Sequence, residues 1–265
     1  MAATASFPAE RLAVSTLAER PELRAQTFSA QFHAAVPELM LHDPVAALYY
    51  ADAALDRYLE FVLVAVDRDD PGRAIARAVS VPFAMGDDIP ERSELPDGGW
   101  DEIIRWGHED HIASRPANAV SALEIMVLPP YRGRGLSQLM LAKLRDNTRA
   151  RGFADLYGPV RPTEKHLEPL TPFAAYVAQT RADGLPRDSW VRAHLRIGGR
   201  IVKVAPCSMV VAGTLAEWQQ WTGLRFDRSG DVVVPGALVP VHVSLEQNHA
   251  VYIEPNLWIH HPVGE

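Results

Sequence analysis

The ten residues Leu128-Pro129-Pro130-Tyr131-Arg132-Gly133-Arg134-Gly135-Leu136-Ser137 carry the most legible chemistry in this chain. They join an apolar run at 122–128 to an amphipathic stretch at 136–151. The pattern predicts a strand, a turn and a long helix in that order. A helix N-terminus leaves backbone N–H groups unpaired and carries partial positive charge. Gly133 and Gly135 let that backbone approach an anion, and Arg132 and Arg134 add full charge. The segment therefore reads as a pyrophosphate cradle. No Gly-Lys-Ser/Thr follows, which disfavours a nucleotide P-loop, and a dinucleotide-binding fingerprint is absent.

One carboxylate sits close by in sequence. Strand alternation puts Glu124 on the same face as Met126 and Leu128. A carboxylate at this place can accept a proton from a reacting group, directly or through water. His108 and His111 lie three apart on a predicted helix, but no third ligand is placed for a metal. Trp190, Trp218, Trp221 and Trp258 read as core or interface aromatics, Cys207 as a small core residue, and His260-His261 as solvent exposed.

The elements that must position these groups follow from periodicity. Residues 12–32 read as helical, with Pro21 at a break or start, and 48–59 as a second helical stretch. Runs at 61–66 and 75–83 read as a hairpin around the turn 67–72. Residues 86–102 hold seven acids and read as a solvated loop or lid leading into a helix at 100–111. The alternative is recruitment of a cationic substrate. After the 136–151 helix, Gly152 suits a left-handed cap, and 154–160 reads as a strand. The β-turn-α-β unit implies two adjacent, roughly parallel strands. Beyond it come a short helix at 172–181, a helix at 190–196 and a strand at 201–211, where Pro206 suggests an edge or bulge. A helix at 214–222 precedes terminal strands at 232–245 and 251–253.

Composition bounds the rest. The chain has 265 residues, 48% hydrophobic and 22% charged, enough for one large domain or two small ones. No repeat or internal boundary is visible. A net charge of −7 gives no global attraction to nucleic acid. One cysteine forms neither an internal disulfide nor a cysteine-based zinc site. Residues 1–8 lack a secretory pattern, and no apolar run approaches the roughly 18 residues that span a bilayer. The expected setting is cytoplasmic, with no membrane, nucleic-acid or metal partner.

The cradle resembles that of the GNAT superfamily. The family pattern is Arg or Gln, two residues, Gly, one residue, then Gly or Ala. Here it runs Arg132, Gly133-Arg134, Gly135, Leu136 and Ser137, the last departing from the pattern with another small residue. The resemblance covers about residues 60–200. It implies an α/β fold with a mixed, largely antiparallel central sheet, a splayed parallel strand pair and flanking helices. It implies a single acyltransferase domain over 1–265, with N-terminal helical elements and a C-terminal β-rich extension. It also implies that Arg132 through Ser137 hold the pyrophosphate of coenzyme A. The backbone of Met126, Val127 and Leu128 would then pair with pantetheine like an added strand. The co-substrate implied is acetyl-CoA or another acyl-CoA.

Family members also carry a helix whose tyrosine protonates the departing thiolate, with Gly-Phe four and five residues later. Here His194 takes the tyrosine position and Gly198 the glycine position. Histidine trades protons near neutral pH. The resemblance thus implies Glu124 as base and His194 as acid, with transfer to an amine of a small molecule. A narrower likeness is to GNAT-like domains of polyketide loading modules, which use a histidine and a threonine. Thr163, just past the 154–160 strand, would supply the latter. That alternative is malonyl-CoA decarboxylation or acyl transfer to a carrier-protein thiol. A third reading is a module that binds CoA without catalysis. The extended C-terminal strands also suit a homodimer.

Overall fold

A computed structural model describes residues 6–34 and 36–264. Residues 1–5, part of the segment read for a leader, lie outside the described residues. The hairpin expected near residue 70 is present. Strand β2 (Val62–Asp67) is buried throughout and pairs antiparallel with β3 (Asp70–Phe83). The stretch 12–32 departs from expectation. It opens with a strand, β1 (Leu12–Thr16), that pairs antiparallel with β2. The exposed edge of β2 offers Leu12-Ala13-Val14-Ser15-Thr16 a ladder, and that pairing overrides helical spacing. Four short helices then pack on one face of the sheet: α1 (Arg24–Thr27), α2 (Ala30–His33), α3 (Ala47–Tyr50) and α4 (Asp52–Leu55). The expected helix at 48–59 is split because Ala51 is extended, with ψ at 142°.

Helix α5 (Gly99–Ile112) precedes β4 (Ala119–Val127), which runs antiparallel to β3. Helix α6 (Leu136–Ala150) crosses over to β5 (Asp155–Val160). The long loop after β5 carries α7 (Phe173–Val177) and leads to α8 (Ser189–Arg196). Strand β6 (Arg200–Thr214), α9 (Leu215–Thr222), β7 (Gly230–Val232), β8 (Val241–Ser244) and β9 (His249–Pro262) complete the chain. The 232–245 stretch thus holds all of β8 and the end of β7 rather than one strand, and β9 extends well beyond 251–253.

The nine strands among the described residues share one sheet. β6 lines one edge of β9 along most of its length. The other edge is divided: β5 pairs with residues 257–262 and β8 with 249–251. Residues 252–256 fall in the gap between them. β6 bulges between Ala205 and Met209, where Pro206 had suggested an irregularity. Cys207 rides on that bulge and is exposed, contrary to its reading as a core residue. A bulge residue that leaves the ladder is displaced from the packed face.

The sheet has two buried faces. Leu136, Met140 and Leu144 of α6 pack on Ile75, Val120, Val127 and Leu156. Each such buried aliphatic side chain contributes about 1.5–3 kcal/mol. The opposite face joins Val79, Val81 and Leu123 to Phe32, Tyr49, Trp106 and Trp258. The acidic stretch is tied down: buried Arg92 donates to Ala84 O and Asp110 Oδ1 and lies 4.7 Å from the Trp106 ring. Among the described residues no helix is long and apolar enough to cross a membrane.

Candidate functional site

The parallel pairing of β4 and β5 is confined to Val120 with Leu156 and Ser121 with Tyr157. Past these residues the two strands diverge. The Leu128 N–H donates to the Ile75 carbonyl at 3.0 Å, which sets the antiparallel register with β3. By strand alternation the peptide groups of Met126 and Leu128 face β3, and those of Ile125 and Val127 face the splay. Of the three backbone positions expected to meet a pantetheine arm, Val127 is thus the one oriented toward it. Ile125 joins it, a residue that only the register identifies.

The splay opens onto the start of α6. Gly133 and Gly135 are left-handed, with φ of 73° and 80°, and nothing stands within 4 Å of where a Cβ would sit on either. No side chain caps α6. Its first-turn amides therefore face outward, apart from Gln138 and Leu139, which donate back to Gly135 O. Arg132 latches the turn to the strand, Nε to Val127 O at 3.0 Å, while remaining exposed. Arg134 packs over Phe7, whose N–H donates to Arg134 O. Leu136 is buried under the cradle and Ser137 is half-buried, so serine in the last position of the pattern fits.

On the helix-α5 face of the splay stands Glu124. Its Oε1 lies 2.5 Å from Arg77 Nε, and its side chain is 18% exposed. Arg77 is buried, donates to Thr27 O and packs against the rings of Phe28 and Phe32. Trp100 ties β4 to β6. Its indole Nε1 donates to Leu123 O on β4, and its backbone N–H donates to Ser208 Oγ in the β6 bulge. Ser208 in turn donates to Asn256 Oδ1. In the stretch of β9 between its β5 and β8 pairings, fully buried Glu254 accepts from Tyr252 Oη, Asn256 Nδ2 and Arg161 Nε. Arg161 continues directly from β5 and also donates to Gly236 O. Sequence reasoning missed this network. A carboxylate inside the apolar C-terminal strands was the available signal.

His194 goes elsewhere. Asp188 caps α8, accepting from Trp190 and Val191 N–H, and the helix turns His194 into the protein. His194 Nδ1 meets His261 Nε2 at 2.8 Å. Both rings are buried, so His261 is not the exposed residue expected from its terminal position; half-buried His260 pairs with Asp155. Burial, reinforced by His261, pushes His194 down to about 3. Burial, with help from Arg145 and His260, pushes His261 down to about 4. Both imidazoles are neutral at pH 7. His261 lies opposite Leu156, on the α6 face, whereas Glu124 pairs with Arg77 on the other. The structure therefore does not bring Glu124 and His194 together. Thr163 is exposed in the loop beyond β5, whereas His194 is buried. No group of three or more potential metal ligands exists among the described residues.

No family model matches the chain. Arginine N-acetyltransferase avaD of Aspergillus versicolor is 29% identical over 276 residues, which span 94% of this chain and 93% of that protein. Among solved structures, the loading GNATL domain of CurA from Lyngbya majuscula superposes with a TM-score of 0.53 at 12% identity, covering 95% of this chain and 96% of that one. The GphF GNAT-like decarboxylase in complex with isobutyryl-CoA does so at 0.50 and 15%, covering 96% and 99%. The splayed β4–β5 pair, the open glycine turn before α6 and these likenesses agree: the chain has the GNAT fold and is similar over nearly its whole length to an N-acetyltransferase.

Proposed function

We propose that this chain is an acyl-CoA-dependent N-acyltransferase that moves an acetyl or other short acyl group onto the amine of a small molecule. The observation that carries the reading is the splay of β4 from β5 opening directly onto an uncapped helix start flanked by left-handed Gly133 and Gly135. A diphosphate fits there: the backbone is bare, the amides converge and Arg132 adds charge. Ile125 and Val127 would receive the pantetheine arm as an added strand.

When bound, acyl-CoA supplies the activated thioester; transfer to an amine makes an amide and frees a thiol. Glu124, held by Arg77 on one oxygen, takes the proton that the attacking amine gives up. Backbone N–H groups on the splayed edge of β4 polarise the thioester carbonyl. His194 enters as a packing partner of His261, since a neutral, buried imidazole holds no proton ready for a thiolate. We read residues 1–265 as one domain, and the lone cysteine fits a reducing, cytoplasmic setting. The relative's name makes arginine and arginine-like amines the first acceptors to try.

The test is thiol release from acetyl-CoA with a panel of amines, followed by mass detection of the amide. Glu124→Gln should lower kcat by about a hundredfold and leave CoA binding intact. A wild type that binds CoA but consumes acetyl-CoA with none of the amines sinks the proposal in favour of a non-catalytic module.

The second reading, malonyl-CoA decarboxylation or transfer to a carrier-protein thiol through Thr163 and His194, draws on the fold likeness to CurA and GphF. It requires an exposed hydroxyl and a buried imidazole to meet at one thioester. Carbon dioxide released from malonyl-CoA without any acceptor would favour it.

A further inference from the structure

Tyr50 closes α3, just before the extended Ala51, and packs on the same face of the sheet as Trp100, Met126 and Leu128. The ring stacks on Trp100, with centroids 6.2 Å apart and planes 14° from parallel, and meets Phe28 edge-on at 6.2 Å. Several polar groups beside it have partners. Tyr49 Oη donates to Ser80 O at 2.7 Å, Trp100 Nε1 donates to Leu123 O, and Arg77 Nη1 donates to Thr27 O. The Tyr50 hydroxyl is buried and has no hydrogen-bond partner among the described residues. Phenylalanine would fill the same space without that cost, so an unpaired buried hydroxyl calls for a ligand.

Its surroundings define the ligand. Burial, then the nearby Glu124 carboxylate, push the Tyr50 phenol well above its usual value, so the hydroxyl keeps its proton throughout the working pH range. Glu124 is engaged by Arg77 on Oε1 and keeps partial exposure. A hydroxyl oxygen and a carboxylate oxygen on one face of the splay match two N–H donors on a single nitrogen. Resting on the transferase reading above, we propose that Tyr50 is a second anchor of the acceptor: its oxygen accepts one N–H of a primary amine while Glu124 accepts the other. With both hydrogens held, the nitrogen lone pair is left to face the thioester. The lone pair forms the C–N bond, the C–S bond breaks with its electron pair leaving on sulfur, and the surplus N–H proton passes to Glu124.

The test compares wild type with Tyr50→Phe in steady-state kinetics with acetyl-CoA, L-arginine and a simple primary alkylamine. The expected result is an acceptor KM raised about tenfold, a lowered kcat, and an unchanged acyl-CoA KM. Tm should hold or rise, because the variant deletes an unpaired buried hydroxyl. An unchanged acceptor KM and kcat overturns the assignment. So does a lower Tm with acceptor and acyl-CoA KM rising together, the mark of a structural role. A wild type that forms no amide with any amine overturns the transferase reading itself, and this seat with it.

Discussion

The imidazoles of His194 and His261 meet at 2.8 Å, each buried and each with its second ring nitrogen lacking a hydrogen-bond partner among the described residues. This pair links α8 to β9 in a neutral state. Both folded pKa values, about 3 and about 4, lie below the ordinary value of 6.5. The unfolded chain therefore binds more protons between those limits, and stability falls as pH drops from 6.5 toward 4. Between pH 7 and pH 5 the loss should be on the order of 2 kcal/mol for each imidazole, about 4 kcal/mol for the pair. Urea melts should show it, and His194→Phe with His261→Leu should flatten that part of the curve.

Asp101 and Asp43 make the opposite case. Burial, then the neighbouring Asp43, push Asp101 up to about 8. Val210 N–H donates to Asp101 Oδ2. A carboxyl whose folded pKa is raised contributes stability that is complete below pH 3.8 and is lost as pH rises to 8. Asp101→Asn keeps an N–H for Asp43 and an oxygen for Val210. Its stability advantage over wild type in denaturant melts should grow from pH 5 to pH 9, by on the order of 4 kcal/mol.

Gly135 tests the cradle. A Cβ there meets nothing within 4 Å, so Gly135→Ala carries a backbone cost alone, about 1–2 kcal/mol at φ 80°. Any shift in the α6 start also misaligns the amides, and calorimetry should show CoA affinity reduced by about tenfold or more. Gly223→Ala is the control. It has φ 70°, equally open space and a place at the end of α9. It should cost similar stability with no change in CoA affinity.

Arg161 tests the network at the end of β5. Arg161→Ala leaves the carboxylate of Glu254, 1% exposed, without its counter-charge. Denaturant unfolding should show a loss of about 3–5 kcal/mol. Adding Glu254→Gln should restore much of it, because the stranded charge is removed.

Local signals carried the β4-turn-α6-β5 unit. An apolar run, two glycines and an amphipathic stretch sit within about forty residues, so neighbouring side chains decide each element. The same holds for α8 and α9, whose caps Asp188 and Thr214 lie next to the helices they start. β1 was misread as helix because its partner edge is β2, about fifty residues away, and a strand at a sheet edge takes its conformation from the ladder. His261 was misread as exposed for a similar reason: its burial comes from His194, 67 residues earlier.

The sequence by itself determined that a strand runs into a glycine-rich helix start able to grip an anion, because backbone freedom at Gly133 and Gly135 and the helix dipole are local properties. Only the tertiary structure decided which side chains share the splay. It put Glu124 with Arg77, Tyr50 and Trp100 on one face and sent His194 to the other. Strand register and sheet face are set by pairings between distant segments, such as Trp100 with Ser208 across 108 residues, and no short window of residues encodes them.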